Sequence, residues 1–247
     1  MGTVSYDFTG KVVLITGGGT GIGRGIGEAF ARAGAKVVVS GRRIEPLQNF
    51  CAANPDNADF VQLDVGVEAD RQRAVQQVID RHGRLDLLVN NAISYTGATL
   101  DVLTLEEIES MFRVLLLGTV MMTKAALPHL VASRGSVINL SSVAGRFVEP
   151  LTGGAYGAAK AGVNQFTRVL AAELAPKGVR VNAIAPGSTA TEAMLPEQEQ
   201  MFIDMTPMGR LGVPADIAAV AMFLASDAGG WVTGQVIDAA GGLGISG

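Results

Sequence analysis

Cysteine is nearly absent: Cys51 stands alone among 247 residues. One thiol makes neither an intramolecular disulfide nor a cysteine-based metal cluster. It reads as a half-buried helical side chain, the usual place of a free cysteine. Basic charge is also in short supply. Nineteen Lys and Arg against 23 Asp and Glu leave a formal net charge of −4. That balance argues against a nucleic-acid partner, whose phosphates favour a basic face. Long hydrophobic runs are missing as well. The longest, Val114–Met122, is interrupted by Gly118 and Thr119 and is too short to cross a bilayer. The first ten residues, MGTVSYDFTG, have neither the basic nor the apolar segment of a signal peptide. A cytoplasmic protein without a membrane partner is the expectation. No Pro/Ser-rich linker, charge run or internal repeat interrupts the chain, so a single domain over residues 1–247 is expected.

What is present is apolar residue and glycine. Hydrophobic side chains make up 48% of the sequence, enough for a large core, and the 32 glycines gather in short clusters without a collagen-like period. Such clusters mark places where backbone comes close to something else. Short Val/Ile/Leu runs alternate with helical patterns throughout. Strands are expected at Val12–Thr16, Lys36–Ser40, Phe60–Asp64, Leu85–Asn90, Ser136–Leu140, Val179–Ile184 and from Gln235 to Asp238. Helices are expected over Ile22–Ala33, Glu45–Ala53, Glu68–Arg81, Thr104–Ala132, Gly154–Ala175 and Pro214–Ala225. Strands without polar alternation are buried on both faces, and helices of this length are the crossovers between parallel neighbours. The pattern predicts an α/β fold: one doubly wound Rossmann-type domain with a seven-stranded, mainly parallel sheet and helices on both faces. The helix around Val114–Met122 is apolar nearly all round, which calls for cover on more than one side, by the core or by a second subunit.

The first strand runs into Thr16-Gly-Gly-Gly-Thr-Gly-Ile-Gly23. Gly17, Gly21 and Gly23 fall where strand turns into helix. Bare backbone there can approach a pyrophosphate, and the helix start offers free N–H groups and a positive dipole end. The second strand ends in Ser40-Gly41-Arg42-Arg43. An NAD-selective site places a carboxylate at that point for the ribose hydroxyls. Here glycine takes its place and two guanidinium groups follow, which pair with a 2′-phosphate by charge-assisted hydrogen bonds. NADP(H) is therefore expected over NAD(H).

Taken together, Thr16–Gly23, Asp64-Val65, Asn90-Asn91-Ala92, Ser141-Ser142, Tyr156-x-x-x-Lys160, Asn182 and Pro186-Gly187 resemble the short-chain dehydrogenase/reductase family. The likeness is to its 3-oxoacyl-carrier-protein reductase-like branch and covers nearly the whole chain. Tyr156 and Lys160 share one helix face, and an ammonium beside a phenol stabilises phenolate. The resemblance implies Tyr156 as general acid/base, Lys160 as the group that lowers its pKa and binds the nicotinamide ribose, and Ser142 as hydrogen-bond donor to the substrate oxygen. It also implies cofactor contacts from Gly17, Thr20, Gly21, Ile22, Gly23, Arg42, Arg43, Asp64, Val65, Asn91, Ala92, Tyr156, Lys160, Pro186, Gly187, Thr189 and Thr191. The substrate would be a small-molecule carbonyl or alcohol, and the assembly a homotetramer.

The pattern breaks in three places. Ser142 precedes Tyr156 by fourteen residues where the family usually has thirteen, which reads as one extra residue in the loop Arg146–Gly153. Ile93 stands where the family has glycine after Asn-Asn-Ala. Leu115 stands where the family has an asparagine that holds a water beside the lysine, and leucine has no donor or acceptor for that work. Met194, Leu195, Met201, Phe202 and Met205 suggest either a pocket for a medium-sized apolar substrate or the buried face of a lid helix. Arg210 is the one cation near that segment, and His82 and His129 read as surface residues. A non-catalytic NADP(H)-binding regulator and an enoyl- or dienoyl-thioester reductase are the alternatives to a carbonyl reductase.

Overall fold

Val12–Thr16 is buried at every position, and successive side chains enter different cores. Val13 and Ile15 pack with Ile26, Phe30 and Phe50, whereas Val12 and Leu14 pack with Val78, Met122 and Val137. This is the two-sided burial expected of a strand flanked by helices on both faces. Each fully buried Leu, Ile or Val contributes roughly 1.5–3 kcal/mol relative to exposure.

The computed structural model describes residues 4–148, 152–192 and 194–244. Its strands are β1 (Val12–Thr16), β2 (Lys36–Gly41), β3 (Ala58–Gln62), β4 (Leu87–Asn90), β5 (Ser136–Leu140), β6 (Arg180–Pro186) and β7 (Val236–Ala239). They form one sheet in the order β3-β2-β1-β4-β5-β6-β7, with every neighbouring pair parallel. The helices are α1 (Gly21–Arg32), α2 (Ile44–Ala53), α3 (Glu68–His82), α4 (Leu105–Phe112), α5 (Gly118–Ser133), α6 (Gly154–Leu174), α7 (Pro196–Met205) and α8 (Pro214–Ala225). Helices α1, α2 and α8 bury side chains in one core, and α3, α5 and α6 in the other. The α/β fold and the doubly wound sheet expected from the sequence are both present.

Three local differences matter for the site. Strand β3 begins and ends two residues earlier than expected, because Val37–Gly41 pair with Ala58–Gln62. Asp64 is thereby freed from the sheet, and its Oδ1 accepts from the Gly66 N–H at 2.8 Å. The helix expected over Thr104–Ala132 starts on schedule: Thr104 and Glu107 form a reciprocal capping box. It is then broken by a π turn at Arg113–Leu117, an insertion that often marks functional sites. With that turn the helix runs 29 residues from Leu105 to Ser133 and is long and apolar enough to cross a membrane by length and composition. Its buried residues Met122, Ala126 and Leu130 nevertheless sit in the core against α3 and the sheet. His82 departs from a surface role, since it is half-buried with Nε2 3.3 Å from Asp59 Oδ2, and His129 is half-buried too. Cys51 is half-buried on α2 as expected, and burial pushes its thiol pKa up.

Candidate active site

The strand order reverses between β1 and β4, so the helices after these two strands leave in opposite directions. A crevice opens there at the carboxyl ends, the usual ligand position in such sheets. Thr16 ends β1 and ties the two edges together. Its hydroxyl accepts from the N–H groups of Asn91 (2.9 Å) and Ala92 (3.1 Å). The Asn91 amide donates back to the carbonyls of Thr16 and Gly17, both at 3.0 Å. Asn91 is therefore spent on clamping the glycine turn, although it also borders the crevice.

Glycine is dictated by geometry at Gly17 and Gly23 among other positions of this turn. Gly17 has φ +65°, in the left-handed region. A Cβ on Gly23 would lie 2.4 Å from both the Gly17 oxygen and Asn91 Nδ2. Gly23 thus faces back into the turn, while Gly17, Thr20, Gly21 and Ile22 border the cleft. The cleft has a volume of about 580 Å³. Arg42, Arg43, Asp64, Val65 and Ala92 border it as well, as does Ile93 in its glycine-replacing position. Arg42 and Arg43 are exposed, and neither side chain pairs with a carboxylate among the described residues. Thr20, at the N-cap of α1, makes no side-chain capping bond, and the first turn of α1 has no acidic residue. Backbone donors at a helix start, without a cap from their own first turn and opening on a cleft, suit a pyrophosphate. Glycine turn and adenosine-side wall fit a dinucleotide.

The Tyr156–Lys160 end is built differently. Helix α6 places both side chains inward, Tyr156 at 8% and Lys160 at 4% exposure. Lys160 Nζ lies 5.7 Å from the Tyr156 ring centroid and donates to the Leu140 carbonyl at 2.6 Å. Burial pushes the ammonium pKa down from 10.5 to about 8. The ring packs with Met111, Leu115 and Ala159, and Tyr95 meets it edge-on with centroids 5.1 Å apart.

The serine pair divides its labour. Ser141 Oγ donates to the Lys160 carbonyl at 3.3 Å. Ser142 caps the 3-10 turn Val143–Gly145, its Oγ accepting from the Ala144 N–H at 3.2 Å, which leaves its hydroxyl hydrogen for a ligand. That turn lies hard against α6. A Cβ on Gly145 would meet the Lys160 carbonyl carbon at 2.7 Å, and one on Gly157 would meet the Ala144 oxygen at 2.9 Å. Ser142 is thus carried to the same stretch of α6 as Tyr156 and Lys160. Val143 is buried and offers no hydroxyl. The loop with the extra residue lies partly outside the described residues, at 149–151.

Pro186 ends β6 and, like Gly187 and Thr189, does not border that cleft; a Cβ on Gly187 would meet Ala240 at 2.9 Å. Thr189 donates to the Gly187 carbonyl at 3.1 Å and bridges to Gly212. Thr191 touches Gly21 across the cleft mouth. Beyond it, α7 has no fully buried residue, and Leu195, Met201 and Met205 are half-exposed, so these side chains are not the buried face of a lid. Arg210 is held by Asp216 at 2.7 Å and is not a spare cation.

Three participants were not foreseen. Glu192 reaches α1 and accepts from the Gly21 N–H at 3.1 Å. Tyr95 touches the Tyr156 ring. A buried ladder braces the strand ends: Asn90 donates to Thr123 and Asn139, and Asn139 donates to Thr167, each at 2.9 Å. Only the strand-end asparagines left a trace in the sequence. Glu192 and Tyr95 lie in irregular segments without a motif of their own.

Comparison with known proteins finds relatives over nearly the whole chain. A family model described as enoyl-(acyl carrier protein) reductase matches residues 17–244. An uncharacterized oxidoreductase of Methylorubrum extorquens is 40% identical, covering 95% of this chain and 98% of its own. The 3-oxoacyl-[acyl-carrier-protein] reductase FabG of Thermotoga maritima is 38% identical, with the same two coverages of 95% and 98%. Among solved structures, a 3-ketoacyl-(acyl-carrier-protein) reductase from Brucella melitensis complexed with NADH superposes with TM-score 0.92 at 35% identity, covering 97% of this chain and 100% of that one.

Proposed function

The chain belongs to the short-chain dehydrogenase/reductase family of oxidoreductases, and on that premise we propose that it is an NADP(H)-dependent enzyme interconverting a carbonyl and its alcohol. The observation that supports this most directly is the joint placement of Ser142, Tyr156 and Lys160 on and against one stretch of α6. A bound nicotinamide supplies the hydride for reduction, or takes it in the reverse direction. The Ser142 hydroxyl donates to the carbonyl oxygen and fixes its position. The Tyr156 hydroxyl gives its proton to that oxygen as the carbon becomes tetrahedral, leaving a phenolate. Lys160, held by the Leu140 carbonyl, sets a positive charge beside the ring and favours the phenolate. Oxidation runs the same steps backwards, with the phenolate taking the alcohol proton.

The half-exposed Leu195, Met201 and Met205 favour a medium-sized apolar substrate. Reduction of a carbon–carbon double bond, the chemistry in the matched family description, is disfavoured by the intact serine, tyrosine and lysine set. NADP(H) is supported by Gly41, Arg42 and Arg43, though the solved relative named above was captured with NADH. A homotetramer in the cytoplasm is the assembly and place we assign. Leu105, Leu117 and Val169 are exposed on the α4–α6 side, where a second copy would cover them.

Assay of a ketone panel with NADPH tests the reading. Tyr156→Phe is expected to lower kcat by about a thousandfold or more while NADPH still binds; full activity in that variant removes the mechanism. In the native enzyme, kcat/KM is expected to favour NADPH over NADH by about tenfold or more, the scale of one desolvated charge-assisted contact. A clear NADH preference rejects the cofactor assignment. NADPH binding without turnover of any ketone points to a regulator instead.

A further inference from the structure

Gly21 opens α1, and its N–H is one of the donors that a helix leaves unsatisfied at its start. In most helices a side chain within the first turn takes such a donor. Here Thr20 does not, and no acidic residue lies in the first turn. The donor is taken instead by Glu192 Oε2 at 3.1 Å, from a residue 171 positions away in the chain. Glu192 makes no ion pair among the described residues. Its exposed side chain makes this helix-end contact.

The segment bearing Glu192 is fastened on its near side. Ala190 N–H donates to the Gly212 carbonyl (2.8 Å), and Gly212 N–H donates to the Ser188 carbonyl (3.0 Å). The methyl of Thr191 would be 3.3 Å from a Cβ on Gly21, so the segment closes over the glycine turn. On its far side the chain passes into α7, the exposed methionine-bearing helix. Glu192 thus borders the cleft beside the glycine turn.

Resting on the reading of this cleft as a dinucleotide site, we infer that Glu192 is a resident competitor for the cofactor diphosphate. The Gly21 N–H cannot serve a carboxylate and a phosphate oxygen at once, and two anions at this distance repel each other. Cofactor entry then requires the carboxylate to leave α1. A carboxylate that stabilises only the cofactor-free state weakens cofactor binding by the same factor.

The test is a fluorescence titration of the full-length protein with NADPH, using wild type, Glu192→Gln and Glu192→Ala. Adenosine 2′-monophosphate, which has the adenosine end but no diphosphate, is the control ligand. NADPH affinity is expected to rise about three- to tenfold in the alanine variant, the scale of an anion at a helix start. The glutamine variant should gain less, since its amide oxygen can still accept from Gly21. The control affinity should not move. NADPH affinity that is unchanged or weaker in both variants assigns Glu192 a purely structural cap and overturns the inference, while the proposed function stands. Equal tightening for the control ligand reduces the effect to general charge and overturns it as well. If the wild type binds neither NADPH nor NADH, the proposed function falls, and this inference with it.

Discussion

Around Gly17–Gly23 the protein brings uncharged backbone to an open cleft, whereas around Lys160 it brings a charged side chain into a closed apolar cluster. The first region needs no buried charge, because N–H groups and a helix end do the recognition, with the exposed Glu192 carboxylate on the Gly21 N–H. Its constraint is steric: no Cβ fits at Gly23. The second region bears an electrostatic cost in every state. Lys160 donates to the Leu140 backbone carbonyl, and burial drives its pKa down to about 8. One region is limited by space and the other by solvation, so they should fail in opposite ways.

Lys160→Met is the largest test of that contrast. Turnover should fall by a hundredfold or more, on the scale lost with a general acid–base partner, yet the folded protein should become more stable. A drop in pKa from 10.5 to about 8 corresponds to about 3 kcal/mol of cost to the fold when the amine is charged. The unfolded chain holds more protons than the folded one between pH 8 and 10.5, so wild-type stability rises with pH through that window. Below pH 8 the full cost is present. The methionine variant should gain about 1–2 kcal/mol at pH 7, after losing the Leu140 bond, and the gain should shrink toward pH 10.5. Denaturant unfolding of both proteins at pH 7 and 10 measures it. A variant less stable at pH 7 would break the contrast.

Gly23→Ala should fail in the other direction. The added methyl overlaps the Gly17 carbonyl and the Asn91 amide, so the turn must open or Asn91 must let go. Stability is expected to drop by about 1–3 kcal/mol, as for an overpacked site. Cofactor affinity should fall by about thirtyfold or more as the donors lose their alignment. Turnover at saturating cofactor should suffer less than Kd, because Lys160 and Tyr156 lie elsewhere. Equal losses in both would mean that the two regions are not separable.

The same contrast explains how much could be read in advance. The glycine turn was legible because its chemistry is local: residues adjacent in sequence make the strand end, the turn and the helix start. Tyr156 and Lys160 were legible because four residues make one helical face. The division of labour between Ser141 and Ser142 needed the structure, since it depends on which hydroxyl meets α6. The early end of β3 was hidden because the register with β2 decides it, not the apolar run Phe60–Asp64. Glu192 was hidden for the same kind of reason, since its partner is 171 residues distant. The π turn at Arg113–Leu117 left no trace, because Val-Leu-Leu-Leu is as good a helix as any.

That turn frames the smallest and most informative prediction. The resemblance places at Leu115 an asparagine that would hold a water beside the lysine. In the structure Leu115 is 1% exposed, lies within the π turn and packs against Met111, Tyr156 and Ala159. Its carbonyl accepts from the Thr119 hydroxyl at 2.8 Å. Leucine here fills space that an amide and a water would otherwise share, and it dries the back of Tyr156. Leu115→Asn should therefore cost about 1–2 kcal/mol of stability, for a buried amide with incomplete partners. Activity per folded molecule should hold or rise, because the amide restores a polar link next to Lys160. Thermal unfolding together with kcat on the folded fraction separates the two effects. Lower kcat in a fully folded variant would show that protons reach Tyr156 by a path the leucine protects, and would place the dry wall itself in the mechanism.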